Sequence, residues 1–338
     1  MKAWNLIAPK QLEMVTSQSA PVTNSELVKV KIEIGALSFT DVHSYNGNSS
    51  KFPIILGRHG VGVISEVYPS DDSFFIKSDR VVIDPVIPCG QCMECKTGHF
   101  KNCSNKKILG VNADGLQTDF ITLPIDTVHK IPQNIPFETA VFTEYVALAV
   151  NALDKINIQK GDHVAILASN KIGYVIAQLV AYYQGIPVMI DNNEKALADA
   201  RDVGVFYTFN SDKVDTIEEV FSITGGRMCD KVIYLTNTPK NINTALQLCA
   251  YNGIVCASGY EKPNQTADFS LICKKQLTVY TIDSGFGSFP TAINLLANKA
   301  VKVSGLICDT VSFESLDKAY ELSQTSDLIF KSLLIDFK

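Results

Sequence analysis

Residues 163–191, HVAILASNKIGYVIAQLVAYYQGIPVMID, decide the fold. HVAILA (163–168) is a short apolar run that reads as a strand. IGYVIAQLVAYYQG (172–185) reads as a helix and PVMID (187–191) as a second strand. Strand, helix and strand in that order make a βαβ unit, whose strands lie parallel. The rhythm continues downstream. EKALADARDVG (194–204) is a helix, KVIYLT (231–236) a strand, NINTALQLCAYNG (241–253) a helix and IVCASG (254–259) a strand. The sequence predicts a doubly wound α/β module there.

Toward the N-terminus the pattern changes. LVKVKIEIGALS (27–38) alternates apolar and polar residues, the period of a half-buried strand. PIILGRHGVGVISEVY (53–68) and DRVVIDPV (79–86) look similar, with glycines and prolines between them. The first ~130 residues therefore predict an all-β module of about five or more strands. Helical spacing begins at PFETAVFTEYVALAVNAL (136–153), which carries acidic residues early. The tail, SFPTAINLLANKAVKVSGLI (288–307) and SFESLDKAYELSQ (312–324), is mixed.

The chain has 338 residues, 46% of them hydrophobic and 19% charged, an ordinary globular composition. At roughly 100–200 residues per domain, two domains are expected. Thirty basic against 35 acidic residues give a net charge of −5 and no basic run, which excludes a strongly basic nucleic-acid binder. No apolar stretch reaches the ~18 residues of a membrane span. MKAWNLIAPKQLEM breaks its apolar run too early for a signal peptide, so the expected compartment is the cytoplasm.

Nine cysteines fall into two groups. Cys229, Cys249, Cys256, Cys273 and Cys308 are scattered among apolar neighbours and are expected to be small core residues. The other four are Cys89, Cys92, Cys95 and Cys103. Two-residue gaps let backbone amides face the sulfurs in a tight loop, and four thiolates suit tetrahedral zinc. The alternative is disulfides or a redox pair, which fits a cytosolic chain less well. Four protein ligands leave no open position, so the ion is expected to be structural and His99 unnecessary as a ligand.

This CxxCxxCx₇C lobe, set after a β-rich region and before a βαβ module, resembles the zinc-containing medium-chain alcohol and polyol dehydrogenases. Thr40-Asp41-Val42-His43, Gly57 with Gly60 and Gly62, Asp79-Arg80-Val81, IPFETA (135–140), Gly161-Asp162-His163-Val164 and Lys331 support the resemblance. It implies an α/β protein. A GroES-like catalytic domain would cover 1–145, with the zinc lobe at about 86–110. A Rossmann cofactor-binding domain would cover 146–287, and 288–338 would return to the catalytic domain. It also implies a small-molecule alcohol or carbonyl substrate and a homodimer or homotetramer, with no nucleic-acid or membrane partner.

A dinucleotide-cradling turn uses GxGxxG, because glycines allow a tight turn and close backbone approach to the pyrophosphate. Here the turn reads Ala168-Ser169-Asn170-Lys171-Ile172-Gly173, and only the last glycine survives. Asn170 can adopt a left-handed conformation at modest cost, and Lys171 adds a positive charge near where phosphates would lie. By the resemblance, Asp191 at the end of the second strand faces the ribose hydroxyls and favours NAD(H) over NADP(H). The alternative is a retained fold whose cofactor affinity is weakened or gone.

The resemblance also locates a catalytic metal site, and here the chain departs from the family. Ser38 stands where the family has a cysteine ligand. Gly57-Arg58-His59 stands for its GHE triplet, so Arg58 replaces the histidine ligand. Glu144, in TEYVAL (143–148), matches the third ligand of polyol-type members. A serine hydroxyl is a poor zinc ligand and guanidinium is none. Ser38, Arg58⁺ and Glu144⁻ sum to zero without a metal, as the family's set does with one. Burying an unpaired carboxylate is costly, so Arg58 is expected to pair with Glu144 through a bidentate contact. A metal site rebuilt from His59, Glu144 and Asp41 or His43 is the rival. Thr40 and His43 match the family's proton relay. Asp41 is a candidate to orient a neighbour or to cap a helix starting near Val42. Three functions follow: an NAD(H)-dependent oxidoreductase without catalytic zinc, a non-catalytic binding or assembly protein, and a zinc-dependent dehydrogenase with an unusual site.

Overall fold

Alternation in 27–38 becomes a central strand. In a computed structural model, residues 1–48, 51–69, 73–168, 170–235, 241–258, 266–323 and 330–338 are described. Two compact units result, Met1–Glu144 with Leu306–Lys338, and Tyr145–Gly305. In the first, β1 (Lys2–Ala8) pairs antiparallel with β2 (Gln11–Thr16). β3 (Leu27–Ala36) buries Val28, Val30, Ile32 and Ile34, the apolar half of its alternation. β4 (Ile54–Ile55) pairs with β1, and β5 (His59–Val67) lies antiparallel on β3 with Ala36 opposite His59. β6 (Arg80–Ile83) follows on β5. β7 (Val86–Ile87) and β8 (Lys107–Ile108) make a separate small ladder. β9 (Phe120–Pro124) pairs with β3 and β10 (Val128–Lys130) with β6. Val28, Val30, Ile32, Ile64, Val81, Ile83 and Leu123 share one core.

The second unit is the parallel sheet that the 163–191 stretch predicts. Its strands are β11 (His163–Leu167), β12 (Ile186–Asp191), β13 (Tyr207–Asn210), β14 (Cys229–Leu235), β15 (Cys249–Ser258) and β16 (Thr278–Ile282). They pair in parallel in the order β13-β12-β11-β14-β15-β16. The order reverses between β11 and β14, and crevices at such a switch point, outside the carboxyl ends of the strands, are where ligands bind. Val164, Ala165, Ile166 and Leu167 have no exposed surface, which is why β11 reads as an unbroken apolar run.

The chain then returns to the first unit, where β17 (Ile307–Ser312) pairs with β18 (Ser332–Asp336) and β18 with β3. The return falls at Leu306, not at 288. Residues 288–305 stay with the second unit because their polar groups are used there. Ser288 Oγ donates to Asn151 Oδ1 at 2.6 Å, and Gln178 exchanges two hydrogen bonds with the Lys302 backbone, at 2.8 and 3.1 Å. Of the scattered cysteines, Cys229, Cys249 and Cys256 are buried as expected, but Cys273 and Cys308 are exposed. Cys273 lies on the helix Phe269–Lys275, which has no buried residue, and Cys308 lies on the outward positions of an edge strand.

The turn after β11 brings the following helix close to the strand end. A Cβ built on Gly173 would lie 2.0 Å from the Ala168 carbonyl oxygen, so only glycine lets the helix Lys171–Tyr182 pack this close to the strand end. Ala168 carries φ +118°, the strained position where the fingerprint has its first glycine. Gly173→Ala is expected to lower stability by about 2 kcal/mol or more. Ala168→Gly is expected to raise it by about 1 kcal/mol by relieving the positive φ. Thermal melts of the two variants check this; an unchanged midpoint in Gly173→Ala contradicts the packing argument.

Candidate functional site

The four lobe cysteines meet between β7 and β8. Their sulfurs all lie within 4.8 Å of one another, with Cys89–Cys95 at 4.0 Å and Cys92–Cys103 at 3.8 Å. Four Zn–S bonds of ~2.3 Å in a tetrahedron require S···S edges of about 3.8 Å, so the set fits zinc. No two of them are joined as a disulfide. Backbone N–H groups point at the sulfurs, Cys92 N to Cys89 Sγ at 3.4 Å and Cys89 N to Cys103 Sγ at 3.3 Å. The amides of Gln91 and Cys92 draw the Cys89 thiol down to about 6. His99 lies outside the set, with Nδ1 3.0 Å from Thr97 Oγ1. Among the described residues this is the one group of three or more Cys, His, Asp or Glu side chains gathered within reach of a single ion.

Glu144 sits in the first turn of the helix Thr143–Ile156 and is 8% exposed. Arg58 stands one residue before β5, after Gly57. Gly57 has φ +99°, and a Cβ there would lie 2.7 Å from Gln117 N, so the bend needs glycine. Arg58 Nε and Nη2 both donate to Glu144 Oε1, at 2.8 and 2.6 Å. The pairing with Arg58 is the expected one, but its form is not a two-oxygen fork. The second oxygen, Oε2, faces Nδ1 of buried His59 at 3.0 Å. Burial pushes the Glu144 carboxyl up, but Arg58 and His59 outweigh it and hold it at about 2.

Asp84, just past β6, was not singled out from sequence. It is buried, its Oδ1 accepting the Val86 N–H at 3.0 Å. Burial raises its carboxyl to about 7; the Val86 amide and Arg58 counter this in part, and the Glu144 charge adds to it. The available signal was an acidic residue ending an apolar strand inside VVIDPV (81–86).

Ser38 does not turn to Glu144. It N-caps the helix Phe39–His43, its Oγ accepting the Asp41 N–H at 3.1 Å and donating to Asp41 Oδ2 at 2.6 Å. Asp41 is therefore the third residue of a capping box rather than the cap itself. Its other oxygen accepts the Gly57 N–H at 2.9 Å, tying this helix to the bend before Arg58. Thr40 and His43 lie on the same helix. His43 stacks on Phe39 and has Nδ1 3.5 Å from Asn48 Nδ2.

In the dinucleotide turn, Ser169 lies outside the described residues. Asn170 is extended, with φ −72°, not left-handed. Its side chain caps the helix by accepting the Gly173 N–H at 2.9 Å, while the positive φ falls on Ala168. Lys171 is 3% exposed, and its Nζ lies 6.0 Å from the Tyr145 ring centre. Ile172 is half-buried beside it. A buried cation at a helix N-terminus opposes the helix dipole, and an anion relieves both costs. Asp191 ends β12, is buried, and accepts the Asn193 N–H at 2.9 Å.

Comparison with known proteins agrees with these features. The alcohol dehydrogenase GroES-like domain profile matches residues 24–133, and the zinc-binding dehydrogenase profile matches 172–298. The chain belongs to the zinc-containing medium-chain alcohol dehydrogenase family. An uncharacterized zinc-type alcohol dehydrogenase-like protein of Haemophilus influenzae is 28% identical over 88% of this chain and 87% of its own. A sorbitol dehydrogenase of Halalkalibacterium halodurans is 26% identical over 93% of each. A solved short chain alcohol dehydrogenase, rspB, of E. coli complexed with NADH superposes with a TM-score of 0.91 at 24% identity, covering 100% of this chain and 99% of that one. As a member of the family, the chain is an oxidoreductase of the zinc-type alcohol dehydrogenase kind, with GroES-like and Rossmann folds. Among the described residues no helix is long and apolar enough to cross a membrane.

The raised Asp84 carboxyl has a pH signature. A folded-state value near 7, above the ordinary 3.8, costs nothing below pH ~4. The cost grows through pH 4–7 and is complete above 7. Three units correspond to about 4 kcal/mol at most. Asp84→Asn keeps an acceptor for the Val86 N–H and is expected to raise the melting temperature more at pH 8 than at pH 4.5. An equal gain at both values refutes the assignment.

Proposed function

We propose that this chain is an NAD(H)-dependent oxidoreductase of alcohol or carbonyl compounds that holds one structural zinc and no catalytic one. The observation carrying this reading is Glu144, whose Oε1 accepts two hydrogen bonds from Arg58 while its Oε2 stands 3.0 Å from His59 Nδ1. A guanidinium on the one surviving carboxylate ligand repels a dication, so the residues present do not fit a second zinc. Cys89, Cys92, Cys95 and Cys103 are assigned to the structural ion.

A nicotinamide dinucleotide supplies or accepts the hydride. The chain's own residues do the rest. The helix end at Lys171–Gly173 takes the pyrophosphate, and Asp191 takes the ribose hydroxyls. Arg58, whose side chain keeps 17% of its surface exposed, stabilises the developing negative charge on the substrate oxygen, the task that zinc performs elsewhere. Thr40 and His43 pass the proton between that oxygen and water. Charge separation here is inexpensive, because Glu144 fixes Arg58 and neutralises it in part. The proposed setting is the cytoplasm, with a homodimer or homotetramer as the working form. A second reading, a non-catalytic binding or assembly protein, draws on one observation: Asn170 fills the helix cap that a phosphate would use.

Metal analysis is expected to give about one zinc per chain, lost in Cys103→Ser. Arg58→Ala is expected to cost about 3–5 kcal/mol of stability by stranding a buried Glu144. Fluorescence titration is expected to show NADH binding more tightly than NADPH, with Asp191→Ala weakening NADH the more. Two zincs per chain refute the metal-free site. Absence of binding by either dinucleotide moves the assignment to the non-catalytic reading.

A further inference from the structure

Past the carboxyl end of β16 the chain turns through residues 283–288 before the helix Phe289–Ala297. One buried side chain holds this loop. Asn151, on the helix Thr143–Ile156, donates through Nδ2 to the Ser284 carbonyl at 2.8 Å and to the Phe286 carbonyl at 3.3 Å. Its Oδ1 accepts the Ser288 hydroxyl at 2.6 Å. The carbonyl between the two, that of Gly285, accepts the Ser288 N–H at 3.0 Å. A trans peptide sets its N–H opposite its C=O, so the N–H groups of Gly285 and Gly287 point away from Asn151. Ser288 is the N-cap residue of the helix that follows, yet its hydroxyl goes to Asn151 and makes no capping bond. A stabilising use of that side chain has been given up for the loop. In the sheet register Ile282 is level with Ser258, Ser258 with Leu235, and Tyr234 with Leu167. The loop therefore leaves the sheet at the level of the turn at Ala168, three strands and about 14 Å away.

We propose that Asn151 is a positioning residue that fixes the loop 283–288 for the nicotinamide half of the dinucleotide. The inference rests on the NAD(H) reading above. A dinucleotide lies across the point where the strand order reverses, with one mononucleotide over each half of the sheet. In that reading Asp191, at the end of β12, takes the adenosine side. The nicotinamide side then falls over the carboxyl ends of β14, β15 and β16. Among the described residues, the connection leaving those ends is 283–288. Its sequence from Ser284, SGFGS, carries two glycines, which let a backbone approach a ligand closely but leave it conformationally soft. Asn151 supplies the restraint that this sequence lacks. Holding a loop in its binding conformation beforehand removes an ordering cost from association. A carboxamide suits the task because it donates and accepts at once and brings no charge. An aspartate there would still accept from Ser288 but would offer the two carbonyls no donor.

The test titrates the full chain with NADH by fluorescence and by calorimetry with ADP-ribose, the same molecule without its nicotinamide. In Asn151→Ala the NADH affinity is expected to fall about tenfold, while that for ADP-ribose changes less than about twofold. Asn151→Asp, which keeps the acceptor for Ser288 and loses the donor, is expected to behave like Asn151→Ala. Ser288→Ala is the milder change, expected to lower NADH affinity about threefold with ADP-ribose again unmoved. In each variant the emission of bound NADH is expected to move toward that of free NADH. Retained ADP-ribose binding shows that the cofactor unit is folded, and a merely structural role for Asn151 would weaken both ligands together. If Asn151→Ala does not fold, Ser288→Ala carries the comparison. Equal changes for the two ligands in the folded variants overturn the inference and leave the NAD(H) reading standing. Failure of NADH to bind the parent protein removes that reading, and this one with it.

Discussion

A buried carboxylate must be neutralised, and Glu144 shows what that requires. At 8% exposure its charge is costly unless something positive stands within contact distance. Here Arg58 supplies the positive charge at one oxygen, and His59 Nδ1 stands 3.0 Å from the other. The rest of the site follows from this choice. Ser38 caps a helix, and Asp41 links that helix to the bend before Arg58. Asp84 lies close enough to feel both charges, and burial holds its carboxyl up at about 7. The Arg58–Glu144 pair sums to zero charge.

The two other sites obey the same rule of satisfied groups. In the cysteine lobe, amides turn toward sulfur and the four sulfurs lie within 4.8 Å of one another, a spacing that suits a tetrahedral cation. In the dinucleotide turn, Gly173 is irreplaceable because the Ala168 oxygen occupies the space of a Cβ. Ala168 accepts the positive φ there at a cost in strain. Asn170 serves the turn through its side chain. Its side chain finds a better use as a cap than its backbone does in a left-handed turn, since a capping bond to the Gly173 N–H satisfies an otherwise orphaned donor.

Periodicity made the sheet legible: a fully buried parallel strand reads as HVAIL and a half-buried one as VKVKIEI, because side-chain direction follows from backbone geometry alone. Cysteine spacing made the lobe legible, because four ligands within fifteen residues can meet without help from distant chain. The pairing of Arg58 with Glu144 was legible because the resemblance sets the two opposite charges at one site. These are local facts, or facts of pattern.

What only the tertiary structure decided concerns groups distant in sequence. Both donors of Arg58 fall on one oxygen because His59, the next residue along β5, reaches the other. Asp84 became a titrating group through burial, which no local sequence states. The second crossing between units moved from 288 to 306 because Asn151 and Gln178, far upstream, take up the polar groups of the intervening segment. Arg201, Asn210 and Lys213 converge on Glu194 only because β13 lies beside β12. Sequence determines which residues can carry charge or bend the chain, and packing determines which of them meet, because the strength of an ion pair depends on distance and burial that the linear order does not contain.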